Sequence, residues 1–312
     1  MKILFMGTPE FALSSLKELE KYHEIIGIFT KVDKPNMRGG KIRYTPVKEY
    51  ALEKNIPVYQ PSILKDIKII NLVKEMDPDL IVVVAYGKII PSEIIAIPKY
   101  GIINVHSSLL PKYRGAAPIN AALIHGEKET GVSVMYIVEK LDAGDVILKN
   151  TVKIEEEDNF LTLHDKLKEL GAITLIKAIE LIENNQVKRE IQDESKVTFV
   201  KPFQKEDLRI NWDKNERDIF NFVRGISPFP SAFSHIINTE KLIKIYKVKE
   251  NNKVYNTGKI GEVVDVIKGQ GPVIKVKDGS VILLEGKPEN KKIQSGNDLI
   301  NGGVLKLGYI LD

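Results

Sequence analysis

The chain has no cysteine, which excludes disulfides, thiolate nucleophiles and Cys-based metal sites. Histidine is scarce: five in 312 residues, at positions 23, 106, 125, 164 and 235. None forms the His-x-x-x-His pair that a helix offers to zinc, so no metal is expected. No apolar run approaches the roughly 18–20 residues of a membrane helix. Met1-Lys2-Ile3-Leu4-Phe5 is too short an opening for a signal peptide and lacks a small-residue cleavage site. A soluble, cytoplasmic protein is expected. Neither sign of charge dominates: Lys+Arg total 46 against 42 Asp+Glu, a net charge of +4. That permits contact with a polyanion without requiring it, so the placement of the charges matters. Also missing is Gly-x-Gly-x-x-Gly after the first strand. Gly7-Thr8-Pro9-Glu10-Phe11-Ala12 has no second glycine, and Pro9 and Phe11 crowd the place of a pyrophosphate, which argues against a dinucleotide-dependent oxidoreductase.

What is present alternates. Short β-branched runs at Ile3–Met6, Ile25–Phe29, Leu80–Ala85 and Ile102–Val105 read as buried parallel strands. Helical patterns lie between them: Phe11–Leu19 with Thr8 as N-cap and Pro9 at the first helical position, Val47–Lys54 after Thr45-Pro46, and Ile67–Met76. Strand alternating with helix predicts a doubly wound, mostly parallel α/β sheet, with ligands beyond the carboxyl ends of the strands. Phe160–Asn184 reads as a long closing helix with a buried stripe of Leu163, Leu167, Leu170, Ile173, Ile176 and Ile179. After it come a short helix at Ile219–Val223 and strand-like runs at Ala232–Ile237, Leu242–Val248, Ile260–Val266, Val273–Val276 and Val281–Leu284, punctuated by glycines, the pattern of a small β-barrel. The expected division is a catalytic domain over 1–186, a polar linker over 187–205 and a barrel over 206–312.

Two segments carry chemistry. In Gly101-Ile-Ile-Asn104-Val-His106-Ser107-Ser108-Leu109-Leu110-Pro111 a strand places Asn104 and His106 on one face. An amide beside an imidazole at a strand's carboxyl end suits acyl transfer: the amide binds a developing oxyanion and the imidazole moves a proton. The pair alone is equally consistent with a strand-end cap and a satisfied interior histidine. The second segment, Leu141-Asp142-Ala143-Gly144-Asp145, follows the alternating strand Val132–Ile137. A carboxylate there could orient His106 and take a proton from an attacking ammonium, or it is an ordinary acidic turn. Residues 31–44 form a long strand-to-helix connection in which Lys31, Lys34, Arg38, Lys41 and Arg43 face one Asp around Gly39-Gly40. It suits a phosphate backbone, or is a solvated surface loop. Lys241, Lys244, Lys247, Lys249, Lys253 and Lys259 make the barrel a plausible nucleic-acid platform or a merely soluble one.

Asn104-x-His106 with Ser108-Leu109-Leu110-Pro111, then Arg114-Gly115-Ala116-Ala117-Pro118 and Leu141-Asp142-Ala143-Gly144-Asp145, resemble the signatures of 10-formyltetrahydrofolate-dependent formyltransferases. Gly7–Ala12, Val83–Gly87, Arg224–Pro230 and Gly286–Pro288 extend the resemblance over nearly the whole chain. The resemblance implies a Rossmann-like catalytic domain and an OB-like barrel. It implies Asn104, His106 and Asp142 as the catalytic trio. Ser108, Leu109, Leu110 and Pro111 would contact folate, and Ala85, Tyr86, Gly87 and Ile90 would line the pterin pocket. It implies 10-formyltetrahydrofolate as co-substrate without a metal, and initiator methionyl-tRNA as the partner whose free amino group is formylated. The protein would be a monomer. The inserted loop, with Arg38, Lys41 and Arg43, would meet the tRNA, and Pro9 and Phe11 are candidates for the methionyl pocket. A sugar-nucleotide or purine-pathway amine is the rival acceptor, and an RNA-binding protein without catalysis the rival class. The chain departs from the family at Ser107, where glycine is common, and at Phe229, where tryptophan is usual.

Overall fold

Residues 2–7 lie at the middle of a sheet because five consecutive positions, Ile3 to Gly7, are buried. Only a strand covered on both faces tolerates that run. The structure, a computed structural model, describes residues 1–35 and 42–312; Arg38 and Lys41 fall outside the described residues. Through residue 200 the strands are β1 (Lys2–Gly7), β2 (Glu24–Phe29), β3 (Lys34–Pro35), β4 (Ile42–Arg43), β5 (Val58–Tyr59), β6 (Leu80–Val84), β7 (Ile102–His106), β8 (Arg114–Gly115), β9 (Glu129–Tyr136), β10 (Val146–Lys153) and β11 (Phe199–Val200). The helices are α1 (Glu10–Leu19), α2 (Pro46–Glu53), α3 (Ile67–Met76), α4 (Ser92–Ile95), α5 (Pro118–Ile124) and α6 (Phe160–Glu183).

The main sheet has the order β10-β9-β7-β6-β1-β2-β5. β1 runs parallel to β2 and β6, as do β2 with β5 and β6 with β7, while β9 lies antiparallel to β7. The expected doubly wound, mostly parallel sheet is therefore what forms. Leu4, Met6, Phe29, Ile81, Val83 and Ile102 pack on one face with Ile70 and Val73 of α3. Val105, of opposite parity to Asn104 and His106, faces Gly171 of α6.

Three local expectations change. Thr8 does not cap α1; Pro9 holds that position without a side-chain bond, and the Thr8 hydroxyl instead accepts from Lys31 N–H at 3.4 Å. Thr45 does cap α2, accepting from Lys48 N–H. The buried stripe of α6 runs through Leu163, Leu167, Gly171, Leu175, Ala178, Ile179 and Ile182, and Ile173 is 51% exposed. Small residues carry the helix where it lies close to the sheet, and a search for large aliphatics overlooks them. Residues 187–200 are not a free tether. Glu190 bridges to Val146 and β11 pairs in parallel with β8.

The described residues cluster into two compact units, 1–115 with 130–152 and 164–200, and 116–129 with 153–163 and 201–312. These are not contiguous like the expected domains, because α5 packs with α7 (Glu216–Ile226) of the second unit. A Cβ on Gly225 would lie 2.6 Å from the Ile124 side chain, so glycine is what allows that approach, and Asn120 Nδ2 donates to Gly225 O at 2.7 Å.

The second unit carries β12 (Ala232–Ile236), β13 (Lys241–Glu250), β14 (Val263–Ile267), β15 (Gly271–Val276), β16 (Gly279–Pro288), β17 (Gln294–Ser295) and α8 (Gly296–Asn301). The strands join antiparallel in the order β12-β13-β16-β15-β14. Residues 309–312 fill the gap between the two edges: Ile237 N–H donates to Ile310 O, Leu311 N–H to Gly261 O, Val263 N–H to Tyr309 O and Asp312 N–H to His235 O. The small barrel is thereby closed around Trp212, Ile243, Ile245, Ile274, Leu283 and Leu311.

Candidate active site

Strand β7 delivers the first two expected residues. Asn104 lies opposite Val83 of β6 and Met135 of β9, and His106 opposite Ser133. Both therefore stand on one face near the carboxyl end of the strand. His106 is buried, and its Nε2 lies 2.9 Å from Tyr113 O. A carbonyl only accepts, so Nε2 carries hydrogen and Nδ1 is the exchangeable nitrogen. Nδ1 faces Asp142 Oδ2 at 3.7 Å, just beyond direct hydrogen-bond distance.

Asp142 reaches this position on a bent loop. Its φ is +49°, a left-handed conformation that aspartate tolerates better than most residues. Its Oδ2 accepts Gly115 N–H at 2.8 Å. A Cβ on Gly144 would sit 1.8 Å from Tyr136 O, so only glycine fits where the loop turns back onto β9.

The expected folate-contacting run 108–111 is stitched down. The buried Ser108 hydroxyl donates to Lys112 O at 2.6 Å. Ser133 Oγ accepts Leu110 N–H at 3.1 Å and donates to Ser108 O at 2.7 Å. Leu109 and Pro111 remain half-buried. Ser107 has no left-handed backbone, so a side chain is accommodated where the family often has glycine.

Beyond β6 the chain turns on two left-handed residues, Ala85 (φ +47°) and Gly87 (φ +69°). A Cβ on Gly87 would lie 2.5 Å from Lys31 Nζ, so glycine makes room for that ammonium beside the turn; Ala85 and Gly87 are both exposed. Tyr86 and Ile90 are buried. The Tyr86 hydroxyl has no partner among the described residues, and burial pushes it up to about 12.

Pro9 is exposed. Phe11 is buried, its ring meeting that of His164 edge-on at 5.3 Å, so it packs as the first core residue of α1. Arg43 is exposed at the end of the two-stranded ladder of β3 and β4. The stem of this loop is anchored: Gln60 Nε2 donates to Lys31 O at 2.6 Å, Lys48 pairs with Asp33, and Lys48 Nζ lies 4.2 Å from the Tyr44 ring centroid.

Sequence reasoning missed Ser133, Thr198 and Gln192. Ser133 is a polar residue that breaks the apolar run Gly131–Met135, a signal of a buried bond. Thr198 Oγ1 accepts Tyr113 N–H at 2.8 Å, and Gln192 contacts the Asp142 loop. Both lie in the stretch read as linker, and nothing in one-dimensional composition separates them from solvated residues. Among the described residues no cluster of three or more His, Asp or Glu could hold a metal, and no helix is long and apolar enough to cross a membrane.

A family model described as formyl transferase matches residues 1–179, and one described as formyl transferase, C-terminal domain, matches 202–303. The chain belongs to the formyl transferase family. It is similar to the methionyl-tRNA formyltransferase of Fusobacterium nucleatum, 59% identical over 308 residues and 99% of both chains. The protein of that name from Sulfurihydrogenibium is 44% identical, again over 99% of both chains. Among solved structures, an N-formyltransferase from Helicobacter canadensis in complex with folinic acid and dTDP-3-aminofucose superposes with a TM-score of 0.69 at 20% identity, covering 91% of this chain and 98% of that one. Aquifex aeolicus HypX in complex with tetrahydrofolic acid gives 0.64 at 20% identity, covering 98% of this chain and 48% of that one. These two structural likenesses concern the fold.

Ser133→Ala leaves a buried N–H and a buried carbonyl without partners. It is expected to cost about 1–3 kcal/mol in chemical denaturation and to raise KM for the folate co-substrate. Unchanged stability and KM would show that the 108–111 run does not depend on this button.

Proposed function

We propose that this chain transfers the formyl group of 10-formyltetrahydrofolate to the free amino group of initiator methionyl-tRNA, giving N-formylmethionyl-tRNA for translation initiation, and that it does so as a cytoplasmic monomer. The observation that carries the reading is the meeting of His106 Nδ1 and Asp142 Oδ2 at 3.7 Å, on the strand face shared with Asn104, in a chain 59% identical end to end to a methionyl-tRNA formyltransferase.

The bound folate supplies an activated formyl group. Its pterin would rest against the exposed turn at Ala85 and Gly87, over the buried Tyr86 and Ile90 and beside the Lys31 ammonium, with Ser108, Leu109, Leu110 and Pro111 along its side; the two small residues of the turn fit a flat ring lying against backbone.

The remaining steps belong to this chain. An amine attacks a carbonyl carbon only when neutral, so a group nearby must take its proton as the new C–N bond forms. The His106–Asp142 pair does this: Nδ1 is the free edge of the ring because Tyr113 O occupies Nε2. Asn104 donates to the formyl oxygen as negative charge gathers there. As the bond from carbon to the folate nitrogen broke, the His106–Asp142 pair would return to that nitrogen the proton it had taken. Pro9 stands exposed at the start of α1, where the methionyl side chain would lie.

The tRNA is held by charge. Lys244, Lys247 and Lys249 are all exposed despite their uneven spacing, because register shifts between Ile245 and Val248 re-aim the strand. Lys244 lies directly opposite Lys287, a like-charge pair that costs stability unless a polyanion covers it. Arg38, Lys41 and Arg43 provide the second contact from the inserted loop.

The direct test compares charged initiator tRNA, free methionine and an amino-sugar nucleotide as acceptors with 10-formyltetrahydrofolate; formylation of the sugar amine in preference to the tRNA rejects the reading. Asn104→Ala and His106→Ala are each expected to lower turnover at least about a hundredfold, the roughly 2.7–4 kcal/mol of one lost oxyanion donor, with folding retained. Near-normal rates in both would reject the assignment. Affinity for the tRNA should fall steeply between about 50 and 200 mM salt; a flat dependence would remove both basic regions as its docking surface.

A further inference from the structure

Arg114 is a fully buried arginine that directly precedes Gly115, whose N–H binds the Asp142 carboxylate. Its Nε and Nη2 both donate to Gln192 Oε1, at 3.0 and 2.9 Å, and Nη2 also donates to Glu194 Oε1 at 2.9 Å. A guanidinium has only donors, so it fixes which end of the Gln192 amide faces it. The amide nitrogen must point the other way. It donates to Asp142 O and to Gly144 O, each at 2.8 Å. Glu194 closes the loop from its other side, since its Oε2 accepts Lys140 Nζ at 2.6 Å. Lys140 and Arg114 together hold the Glu194 carboxyl below the usual carboxylate range.

We propose that Gln192 is a positioning residue for formyl transfer: oriented by Arg114, it grips the backbone on both sides of Ala143 and holds the Asp142 carboxylate at the His106 ring. This rests on the reaction proposed above. The loop needs such a grip because Asp142 is kept in a left-handed conformation, which persists only where its surroundings over-determine it. Two loop carbonyls supply the holding points, and Gln192 itself comes from a segment that contributes nothing to the trio. Release of the grip would let Asp142 drift from Nδ1 without disturbing the folate-contacting residues.

Gln192→Glu separates positioning from folding. The carboxylate still serves Arg114, but an acceptor replaces the donor that faced the two carbonyls. Its turnover is expected to fall about 10- to 100-fold, the scale of a misplacement of order 1 Å. KM for 10-formyltetrahydrofolate should stay within about twofold, and the protein should still fold, with a melting temperature lowered by the loss of the donor to two carbonyls. Gln192→Asn, uncharged and one methylene shorter, cannot reach Arg114 and the carbonyl pair together and should show the same split of kcat from KM. Turnover equal to the wild type in either folded variant overturns the proposal. So does loss of folded protein in both, which would make Gln192 a residue of the fold alone. The wild-type chain assayed alongside separates the two claims: no transfer by it overturns the reaction and the clamp with it, whereas transfer by it and equal turnover in the variants overturns the clamp only.

Discussion

One hydrogen bond joins the two loops on which the proposed chemistry rests. The N–H of Gly115 donates to Asp142 Oδ2, linking the chain that leaves β7 to the chain that leaves β9. The strands beneath fix the ends of these loops but not their tips. A backbone donor aimed at a carboxylate is a strong, oriented contact, and Gly115 can present it because its φ of +109° is open to glycine alone. A Cβ there would meet Val200 O at 2.3 Å, so the parallel pairing of β8 with β11 and the contact to Asp142 use the same lack of a side chain.

The sheet was readable because its physics is local. β-branched runs, capping threonine and proline, and period-two alternation announce β1, β6, β7 and α2 directly. The same alternation puts Asn104 and His106 on one face. β10 escaped, since Lys149, Asn150 and Thr151 interrupt any apolar pattern over Val146–Lys153. α8, six residues long, is too short to show a period. The membership of α5 in the second unit depends on Gly225, whose role is visible only as the space it leaves.

The site shows the same division. Its candidate trio could be singled out because the motifs around Asn104, His106 and Asp142 resemble a family's signatures; the residue types alone left a strand-end cap and an acidic turn equally open. What supports the trio could not. Thr198, Gln192 and Ser133 act through backbone groups of residues roughly 23 to 85 positions away, and a side chain that serves a distant main chain leaves no periodic mark. Polar composition around residue 190 suggested solvent. The polarity is instead spent inward, on the buried Arg114 and the carbonyls of Asp142 and Gly144.

The closed barrel of the second unit limits how the proposed RNA partner could be gripped there. With residues 309–312 bonded to both edges, little main chain is left there to offer N–H groups to a phosphate. In the proposed complex, attraction would come from side-chain tips, and along β13 those are lysines without arginine. Ammonium groups on long tethers act as hydrated point charges that tolerate many geometries, where a guanidinium fork would insist on one. On the docking proposed above, such a surface would be a forgiving handrail for a helical polyanion, with discrimination between one nucleic acid and another left to whatever meets its far end.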